Sequence, residues 1–442
     1  MSLSLFLFLL KRIPPVFSLP RATRCALREA PAVRLTLCAG LFAVPGVLTH
    51  TAAAADSVYV SALGDDAGCD GSSPDPWSGS GAGCALRSIG AGIDAVDEGG
   101  TVYVLAGLYV ENVVVEKPVT ILGTTPDEVV LTPAFSNPDC EGDSLCSGEA
   151  STLILVRASG VTISSLMLEG DNPELTSGVD VNGADIDARN GIVTDRSAGV
   201  FDDLEVSDVI VQNVWLRGIF ASSGGSFDFQ RNTVRNVMGI AGSSVALLNF
   251  EGGGVMADNY VEYSWDALAS NHSRGVQFLR NTVVASGSGV HTDNAGGGGG
   301  EADLIEANDV SACLDGGYGV WAFLPYLAPT LRDNRVTSCS LGLGAFGLGA
   351  SVTPLFEANE IDGAGVEDAV GVYVTGDWLG FGVGDASATF KGNRIQNNAV
   401  GVLVLQEEGF SSTVKLRGNR LRDNGIGVSS TTGAQVDARY NG

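Results

Sequence analysis

One phrase occurs twice in this chain, and its return limits the fold more than any other feature. Asn308–Cys313 reads NDVSAC, and 26 residues later Asn334–Cys339 reads NRVTSC. Each copy is followed by a Gly-rich turn and a short apolar strand, and neither contains an apolar stripe at helical spacing. Returns at this interval are typical of structural repeats that stack on one another. The sequence therefore predicts a solenoid of β-strands.

The same pattern, an Asn or Asp before an apolar residue, recurs from Leu204 onward. An inward Asn at a tight bend can hydrogen-bond the neighbouring coil, so we interpret the recurring residues as a structural amide ladder, not as ligands. About a dozen coils would form a rod roughly 55–60 Å long. The recurring positions are Asp208, Asn232, Asn259, Asn281, Asn308, Asn334, Asn359, Asn393 and Asn419.

Composition and charge narrow the class of protein. The 60 glycines among 442 residues suit many short strands joined by tight turns. The net charge is −26, and because residues 1–55 carry six Lys/Arg and one Glu, the remainder carries −31. Such a surface argues against nucleic acid or an anionic membrane as the partner. It fits a soluble exported protein, with the charge serving either bound cations or solubility alone.

The first 55 residues are typical of an export signal. Four arginines precede an uncharged, mostly apolar run, Leu35 to Leu48, which is followed by small residues around Ala53–Ala55. This run is too short for a comfortable membrane span. We therefore expect a leader at residues 1–55, a secreted or cell-surface protein, and no membrane span after cleavage.

Removal of the leader leaves six cysteines, which fall into near neighbours along the chain. An exported chain with proximal pairs favours disulfides over free thiols. Cys313 and Cys339 hold equivalent positions in adjacent repeats, about 4.8 Å apart, which is within disulfide reach. The alternative for that pair is two buried reduced thiols. The predicted pairs are Cys69–Cys84, Cys140–Cys146 and Cys313–Cys339.

The segment after the leader carries a family resemblance. VYVSALG, CALRSIGAGIDAV and GGTVYVLAGLYVENVVVEKPVTILG together resemble the entry segment of secreted right-handed parallel β-helix proteins, the pectate-lyase-like superfamily. Residues Leu204–Asn441 resemble the parallel β-helix repeat family. The resemblance implies an all-β fold, a right-handed parallel β-helix over residues 101–442. Residues 56–100 would supply a strand, a disulfide loop and a short capping helix from Ile89 to Val96.

The resemblance does not extend to a particular enzyme. The carboxylate and arginine constellations of pectin methylesterases and polygalacturonases are missing from the sequence, and three histidines are too few for a multi-His metal site. Aligning the strands after each Asn predicts instead an outward-facing strip suited to sugar rings. The alternative is that these side chains pack beneath the Gly296–Gly300 and Thr375–Ala386 loops. The strip contains His291, Trp321, Phe323, Tyr373, Asn271 and Asp293.

Two catalytic hypotheses remain beside the strip. His291 with Asp293 could serve as a base with an acidic neighbour. Asp185 and Asp187, two residues apart, would share one face of a strand about 7 Å apart, which suits a shared Ca²⁺ or a carboxylate pair of a glycosidase. The alternative for Asp185 and Asp187 is a solvated acidic loop. No cofactor is required by these hypotheses, although Ca²⁺ is possible at Asp185 and Asp187.

Three hypotheses for function follow from the sequence. The first is a secreted or cell-surface protein that presents a strand face to polysaccharide. The second is a polysaccharide-processing enzyme of lyase, hydrolase or epimerase type. The third is a structural surface spacer.

Overall fold

The computed structural model describes residues 55–293, 300–314, 316–323, 327–347, 352–376 and 384–442. The predicted export leader lies outside these residues, except for Ala55. So do residues 296–299 of the first proposed covering loop and 377–383 of the second.

Within the described residues, the chain winds through three long parallel sheets, visiting each once per coil. The predicted all-β parallel β-helix is confirmed. Sheet 1 contains Ala55–Val60, Val96–Val104, Val119–Gly123, Val161–Ser164, Leu204–Ser207, Ser226–Gln230, Gly253–Ala257, Gln277–Leu279, Leu304–Glu306, Thr330–Arg332, Leu355–Glu357, Ala386–Lys391, Ser412–Arg417 and Gln435–Arg439.

Sheets 2 and 3 complete each coil. Sheet 2 contains Gly107–Val110, Val129–Thr132, Met167–Glu169, Ile210–Gln212, Thr233–Val237, Tyr260–Ser264, Thr282–Val284, Asp309–Ser311, Arg335–Thr337, Glu360–Asp362, Arg394–Gln396 and Arg420–Arg422. Sheet 3 contains Val113–Val115, Thr152–Val156, Ala188–Thr194, Val214–Ala221, Val245–Phe250, Asp266–Asn271, Ser288–Thr292, Tyr318–Phe323, Leu341–Phe346, Val370–Thr375, Val400–Leu405 and Ile426–Ser430.

Short elements flank the coils. The predicted capping helix, α1, spans Ile89–Ala95, and the Ser88 hydroxyl accepts a hydrogen bond from the Ala91 amide at its N-terminus. A side chain at Gly92 would collide with Val60 and Val102, so a glycine lets the helix lie directly on sheet 1. The remaining elements are the antiparallel hairpin Asp180–Val181 and Ala184–Asp185 and the 3₁₀ turn Cys146–Gly148.

The corner between sheets 1 and 2 is built from two residues in every coil from Gln230 onward. The first has a left-handed backbone, as at Arg231 (φ 55°) and Ala307 (φ 57°), and the second is the recurring Asn. Each Asn carboxamide oxygen accepts hydrogen bonds from the backbone and the side-chain amide of the preceding Asn. Asn308 donates both to Asn334 at 3.0 and 2.9 Å. The amide ladder is therefore present.

At both ends, the ladder differs from the row of recurring residues that the sequence predicts. Asp208 occupies the left-handed position, equivalent to Arg231, and the backbone amide of Val209 contacts Asn232. Asp208 therefore pairs with Arg231 across the surface at 2.6 Å instead of joining the ladder. At the other end, Asn441 adds a rung because its side-chain oxygen accepts from Asn419.

All three predicted disulfides are formed in the structure: Cys69–Cys84, Cys140–Cys146 and Cys313–Cys339. The Cys313 and Cys339 Cα atoms lie 4.7 Å apart, as expected for equivalent positions on adjacent coils. This pair joins two turns of the solenoid, whereas the other two pairs close loops.

We expect Asn334→Ala to lower the free energy of unfolding by about 2–4 kcal/mol, because it leaves the buried Asn308 backbone amide without a partner and removes one hydrogen bond each from the Asn308 side-chain amide and the Ile305 carbonyl. Urea unfolding monitored by circular dichroism would measure the loss. Asn441→Ala is the matched control, since Asn441 is half-buried and water can replace its contacts. Equal losses in the two variants would contradict a buried ladder that supports the fold.

Candidate ligand-binding face

The outer face of sheet 3 holds most of the side chains predicted to bind a ligand. The strand register places His291 opposite Trp321, Trp321 opposite Gly344 and Gly344 opposite Tyr373. The neighbouring column runs from Phe323 through Phe346 to Thr375. The predicted alignment thus holds from Ala269 onward. One coil before Ala269, Leu248 and Phe250 occupy these two columns. Aligning the strands after each Asn in the sequence wrongly predicts Ala241 and Ser243 at these positions.

This face is covered in the structure. His291 has no exposed surface, Trp321 is 2% exposed and Phe323 is 6% exposed, whereas Tyr373 and Asn271 are half-buried. The His291 and Trp321 rings stack with centroids 4.1 Å apart and an interplanar angle of 21°. The predicted strip is therefore assembled but not open to solvent, and its role in ligand binding stays a prediction.

His291 does not meet Asp293, its proposed catalytic neighbour. The Asp293 carboxylate accepts a hydrogen bond from the backbone amide of His272, and burial, together with the charge of Asp303, raises its pKa. The acidic group nearest to the imidazole is instead Asp266, with 3.9 Å between His291 Nδ1 and Asp266 Oδ1. That distance is too long for a hydrogen bond.

Around this contact lies a group that we call the outer polar cluster: Arg217, Asp266, Ser288 and His291. Asp266 and Ser288 are direct register partners, and Arg217 stands two strands before Asp266 in the same column. The Trp321 indole donates to the Ser288 hydroxyl at 2.9 Å. Sequence analysis missed Asp266, although Asp266 and Ser288 each lie seven residues after a ladder Asn.

Burial shifts the pKa values within the outer polar cluster. It raises the pKa of Asp266 to about 7, a shift opposed by a hydrogen bond from Ser288 and by the charge of Arg217. Burial lowers the pKa of His291 to about 3, so the imidazole is neutral at physiological pH. The charged end of Arg217 is enclosed, which lowers its pKa to about 10.

Several polar atoms of this cluster lack a hydrogen-bond partner in the structure. Oδ2 of Asp266 and both ring nitrogens of His291 are buried and unpaired. An unpaired buried polar group costs roughly 1–3 kcal/mol, and these groups project from the outer surface of a solenoid whose apolar core lies elsewhere. Buried, perturbed groups of this kind mark candidate functional sites.

Apolar clusters flank the outer polar cluster along the rod. On one side Val193, Phe220 and Leu248 pack together with Leu145 of the Cys140–Cys146 loop. On the other side Trp321 and Phe323 pack with Leu341, Phe346, Leu403 and Leu405. The polar cluster thus lies between two apolar clusters.

The Cys140–Cys146 loop lies on this face and is held by buried polar side chains. The Arg189 guanidinium donates to the backbone carbonyls of Pro138 (2.8 Å) and Asp143 (3.0 Å), and Asn190 donates to Ser144 at 2.7 Å. Arg217 reaches the Ser144 hydroxyl at 3.4 Å. Arg189 is therefore engaged in holding a loop.

Asp185 and Asp187 do not share a strand as expected. Asp185 ends the small hairpin, and its carboxylate accepts hydrogen bonds from the Ser177 hydroxyl and the Gly178 backbone amide. Asp187 follows the hairpin, is fully buried, and accepts a hydrogen bond from the Asn172 backbone amide at 3.0 Å. Burial is the main cause that raises the pKa of Asp171, and the charges of Asp187 and Asp185 raise it further. In the described part of the chain, no group of three His, Cys, Asp or Glu side chains is arranged to hold a metal ion. The Ca²⁺ site stays a prediction.

Asp266→Asn is expected to change how stability depends on pH. Between its ordinary pKa near 3.8 and its folded pKa near 7, Asp266 binds a proton in the folded state but not in the unfolded state. The free energy of unfolding should therefore fall by up to about 4 kcal/mol as the pH rises through this window. Urea unfolding at pH 4, 5.5, 7 and 8 should show that Asp266→Asn removes this fall and is the more stable form above pH 7.

Asp437→Asn is the control for that measurement, because Arg439 and Arg417 lower the pKa of Asp437 to about 2 and it does not titrate in this window. An unchanged pH profile in Asp266→Asn would contradict the burial of an ionisable carboxyl at this place.

Comparison with known proteins supports the fold. The model of the right-handed β-helix region matches residues 266–441. A search of curated protein sequences finds no match. In the described residues, no helix has both the length and the apolar character needed to cross a membrane.

Among solved structures, the chain is similar to a catalytic domain of a GH87 α-1,3-glucanase in complex with tetrasaccharides, with TM-score 0.54, 14% identity, 80% of this chain covered and 67% of that chain. A second structure of such a domain, in complex with nigerose, has TM-score 0.50, 13% identity and the same coverage. A pneumococcal surface adhesin from Streptococcus pneumoniae has TM-score 0.48 and 11% identity, with 77% of this chain and 89% of that chain covered. The chain therefore folds as a right-handed parallel β-helix, and its residues 266–441 match the right-handed β-helix region.

Proposed function

We propose that this protein is an exported polysaccharide-binding β-helix protein, and that the outer face of sheet 3 around His291 and Trp321 is its binding face. The observation that carries the proposal is the outer polar cluster beside stacked aromatic rings. The proposal also agrees with the fold, because the similar glucanase domains are described in complex with tetrasaccharides and with nigerose.

The chemistry of this face suits a sugar ring. A pyranose has a flat C–H face that packs on an aromatic ring and a rim of hydroxyl groups that both donate and accept hydrogen bonds. Trp321 and Tyr373 supply aromatic surface in one column. Asp266 Oδ2 can accept from a hydroxyl, and the neutral His291 imidazole can accept at one nitrogen and donate at the other.

Burial of the face sets a condition on binding. Since the Trp321 side chain is 2% exposed, a polysaccharide reaches it only if its surroundings rearrange. Binding that requires such a change has a lower association rate than docking on a preformed surface. The unpaired atoms of Asp266 and His291 reduce the cost of opening, since they gain partners when water or a sugar enters.

A glycan array followed by titration of the best ligand tests this proposal. Tyr373→Ala should weaken binding about five- to tenfold, since it removes an aromatic contact. Tyr103→Ala, at an exposed tyrosine on sheet 1, is the matched control and should bind as the unmodified protein does. Stopped-flow tryptophan fluorescence should give an association rate constant below about 10⁵ M⁻¹s⁻¹.

Absence of any glycan ligand would favour the structural spacer instead. Equal weakening by Tyr373→Ala and Tyr103→Ala would place binding on another surface.

A second candidate function, a polysaccharide-processing enzyme, is favoured by the pKa of Asp266. A carboxylic acid with a pKa near 7 is suited to general acid catalysis at neutral pH, because it holds a proton that it can donate to a glycosidic oxygen. His291, which contacts the same carboxyl, is a neutral hydrogen-bonding group in this arrangement.

Product analysis after incubation with a bound glycan separates the two functions. If the protein is an enzyme, Asp266→Asn should lower turnover by at least about 100-fold while binding persists. His291→Ala tests whether the imidazole is required as well, and Asp437→Asn serves as the control. Binding without any product, in the unmodified protein, would reject the enzymatic function.

A further inference from the structure

A small antiparallel hairpin, formed by Asp180–Val181 and Ala184–Asp185, stands outside the three long sheets. Asn182 and Gly183 make its two-residue turn, and both have left-handed backbones, with φ of 52° and 85°. An Asn-Gly pair suits such a turn because both of its central residues need a positive φ. Both residues are exposed to solvent.

A chain of side-chain hydrogen bonds, which we call the amide latch, ties the turn of the hairpin to the solenoid. The Asn182 carboxamide donates to Asn236 Oδ1 at 2.8 Å, and Asn236 donates to Asn213 Oδ1 at 2.8 Å. Asn213 in turn donates to Glu169 Oε1 at 2.8 Å. Asn236 also donates to the Val181 carbonyl at 3.1 Å, so this one side chain holds the hairpin twice.

The last member of the amide latch fixes the direction of every bond in it. A carboxylate only accepts hydrogen bonds, so Asn213 must turn its NH₂ group toward Glu169 and its oxygen toward Asn236. Asn236 must then donate to Asn213, which leaves its own oxygen as the acceptor for Asn182. The Gln212 side chain reinforces this order, because it donates to the other Glu169 oxygen at 2.6 Å. Asn182 can therefore join the latch only as a donor.

We propose that Asn182 is a site of spontaneous deamidation, and that the reaction releases the hairpin from the solenoid. The Gly183 backbone nitrogen attacks Cγ of Asn182, the Cγ–Nδ2 bond breaks, and ammonia leaves with the proton that the backbone nitrogen loses. Water then opens the resulting succinimide ring at one of its two carbonyls, which gives aspartate or isoaspartate. Water is the only co-reactant, and glycine has no side chain to hinder the attack.

Either product breaks the amide latch. An aspartate has no NH₂ group, so a carboxylate oxygen would face Asn236 Oδ1 with no hydrogen between them. Asn236 cannot turn over to supply one, because its own NH₂ group is held by Val181 and Asn213. Isoaspartate also lengthens the backbone by one carbon, which a two-residue turn does not accommodate. Deamidation thus replaces an attractive contact by a repulsive one at the tip of the hairpin.

Three other Asn-Gly pairs of the chain provide an internal comparison. Asn190 is fully buried in sheet 3, and its carboxamide donates to the Ser144 carbonyl at 2.7 Å. Asn424 and Asn441 bond the preceding coil through both the oxygen and the nitrogen of the carboxamide. These three side chains can turn toward the following nitrogen only after local opening of the fold. The exposed Asn182 needs only to give up its bond to Asn236.

Peptide mass spectrometry of the folded protein, incubated in mildly alkaline buffer, tests the site. Asn182 should deamidate at least about tenfold faster than Asn190, which reacts only when sheet 3 opens. The same incubation in urea is the control, because unfolding exposes all four Asn-Gly pairs and should bring their rates together. Asn182 reacting no faster than Asn190 in the folded protein would overturn the assignment.

Asn182→Asp, which creates one of the two products directly, tests the release of the hairpin. The Ile186 amide donates to the Val179 carbonyl at 2.9 Å and reports on the base of the hairpin. Hydrogen exchange in the peptide that contains it should be about five- to tenfold faster in Asn182→Asp than in the unmodified protein. Gln277→Glu is the matched control, since it adds the same charge at an exposed position of sheet 1.

The result expected is faster exchange that is confined to the hairpin and occurs only in Asn182→Asp. Circular dichroism melting would verify that both variants are folded. Unchanged exchange in Asn182→Asp, or equal acceleration in Gln277→Glu, would overturn the release of the hairpin.

Discussion

The backbone amides and carbonyls at the corner between sheets 1 and 2 must find partners on each turn of the rod, and the stacked asparagines supply them. Each carboxamide bonds the coil before it and the coil after it, at 2.8 to 3.1 Å in the Asn232, Asn259 and Asn281 rungs. This satisfaction of buried polar groups fixes the corner and therefore the register of the strands on both sides. The same register aligns the columns of side chains on sheet 3, including the residues of the outer polar cluster.

A solenoid of this kind buries apolar side chains inside, so its outer surfaces ordinarily remain polar and hydrated. Sheet 3 departs from this rule, since Trp321, Phe323 and Phe346 are buried on the outside and enclose ionisable groups. Burying Asp266 and His291 with unpaired atoms costs stability, which the large core can offset. Sheet 2 shows the opposite design, in which Asp309, Arg335, Glu360 and Arg394 alternate in charge on successive coils.

Much of the fold could be predicted from the sequence because it depends on local, repeated signals. The Asn-containing corner, the cysteine pairs and the capping helix are each encoded within one or two coils, and the structure contains all three. The rest depends on the connections between sheets 2 and 3, whose lengths vary. Seven residues separate Val237 from Val245, and one separates Ser264 from Asp266, so counting from the ladder misplaced Ala241. The sequence left open whether the strip is exposed or packed beneath loops, and in the structure His291, Trp321 and Phe323 are buried.

The two-residue corner has a constant length, so differences in coil length must occur elsewhere in the coil. Between sheet 1 and the ladder Asn one residue intervenes in each coil from Gln230 to Asn419, whereas the connection from sheet 3 back to sheet 1 ranges from two residues after Phe250 to eleven after Thr292. Because the connections between sheets 2 and 3 vary as well, variation in coil length lies at both edges of sheet 3, beside the outer polar cluster. New loops can be acquired there one coil at a time while the opposite corner continues to stack, so this scaffold can diversify its chemistry around one face without refolding.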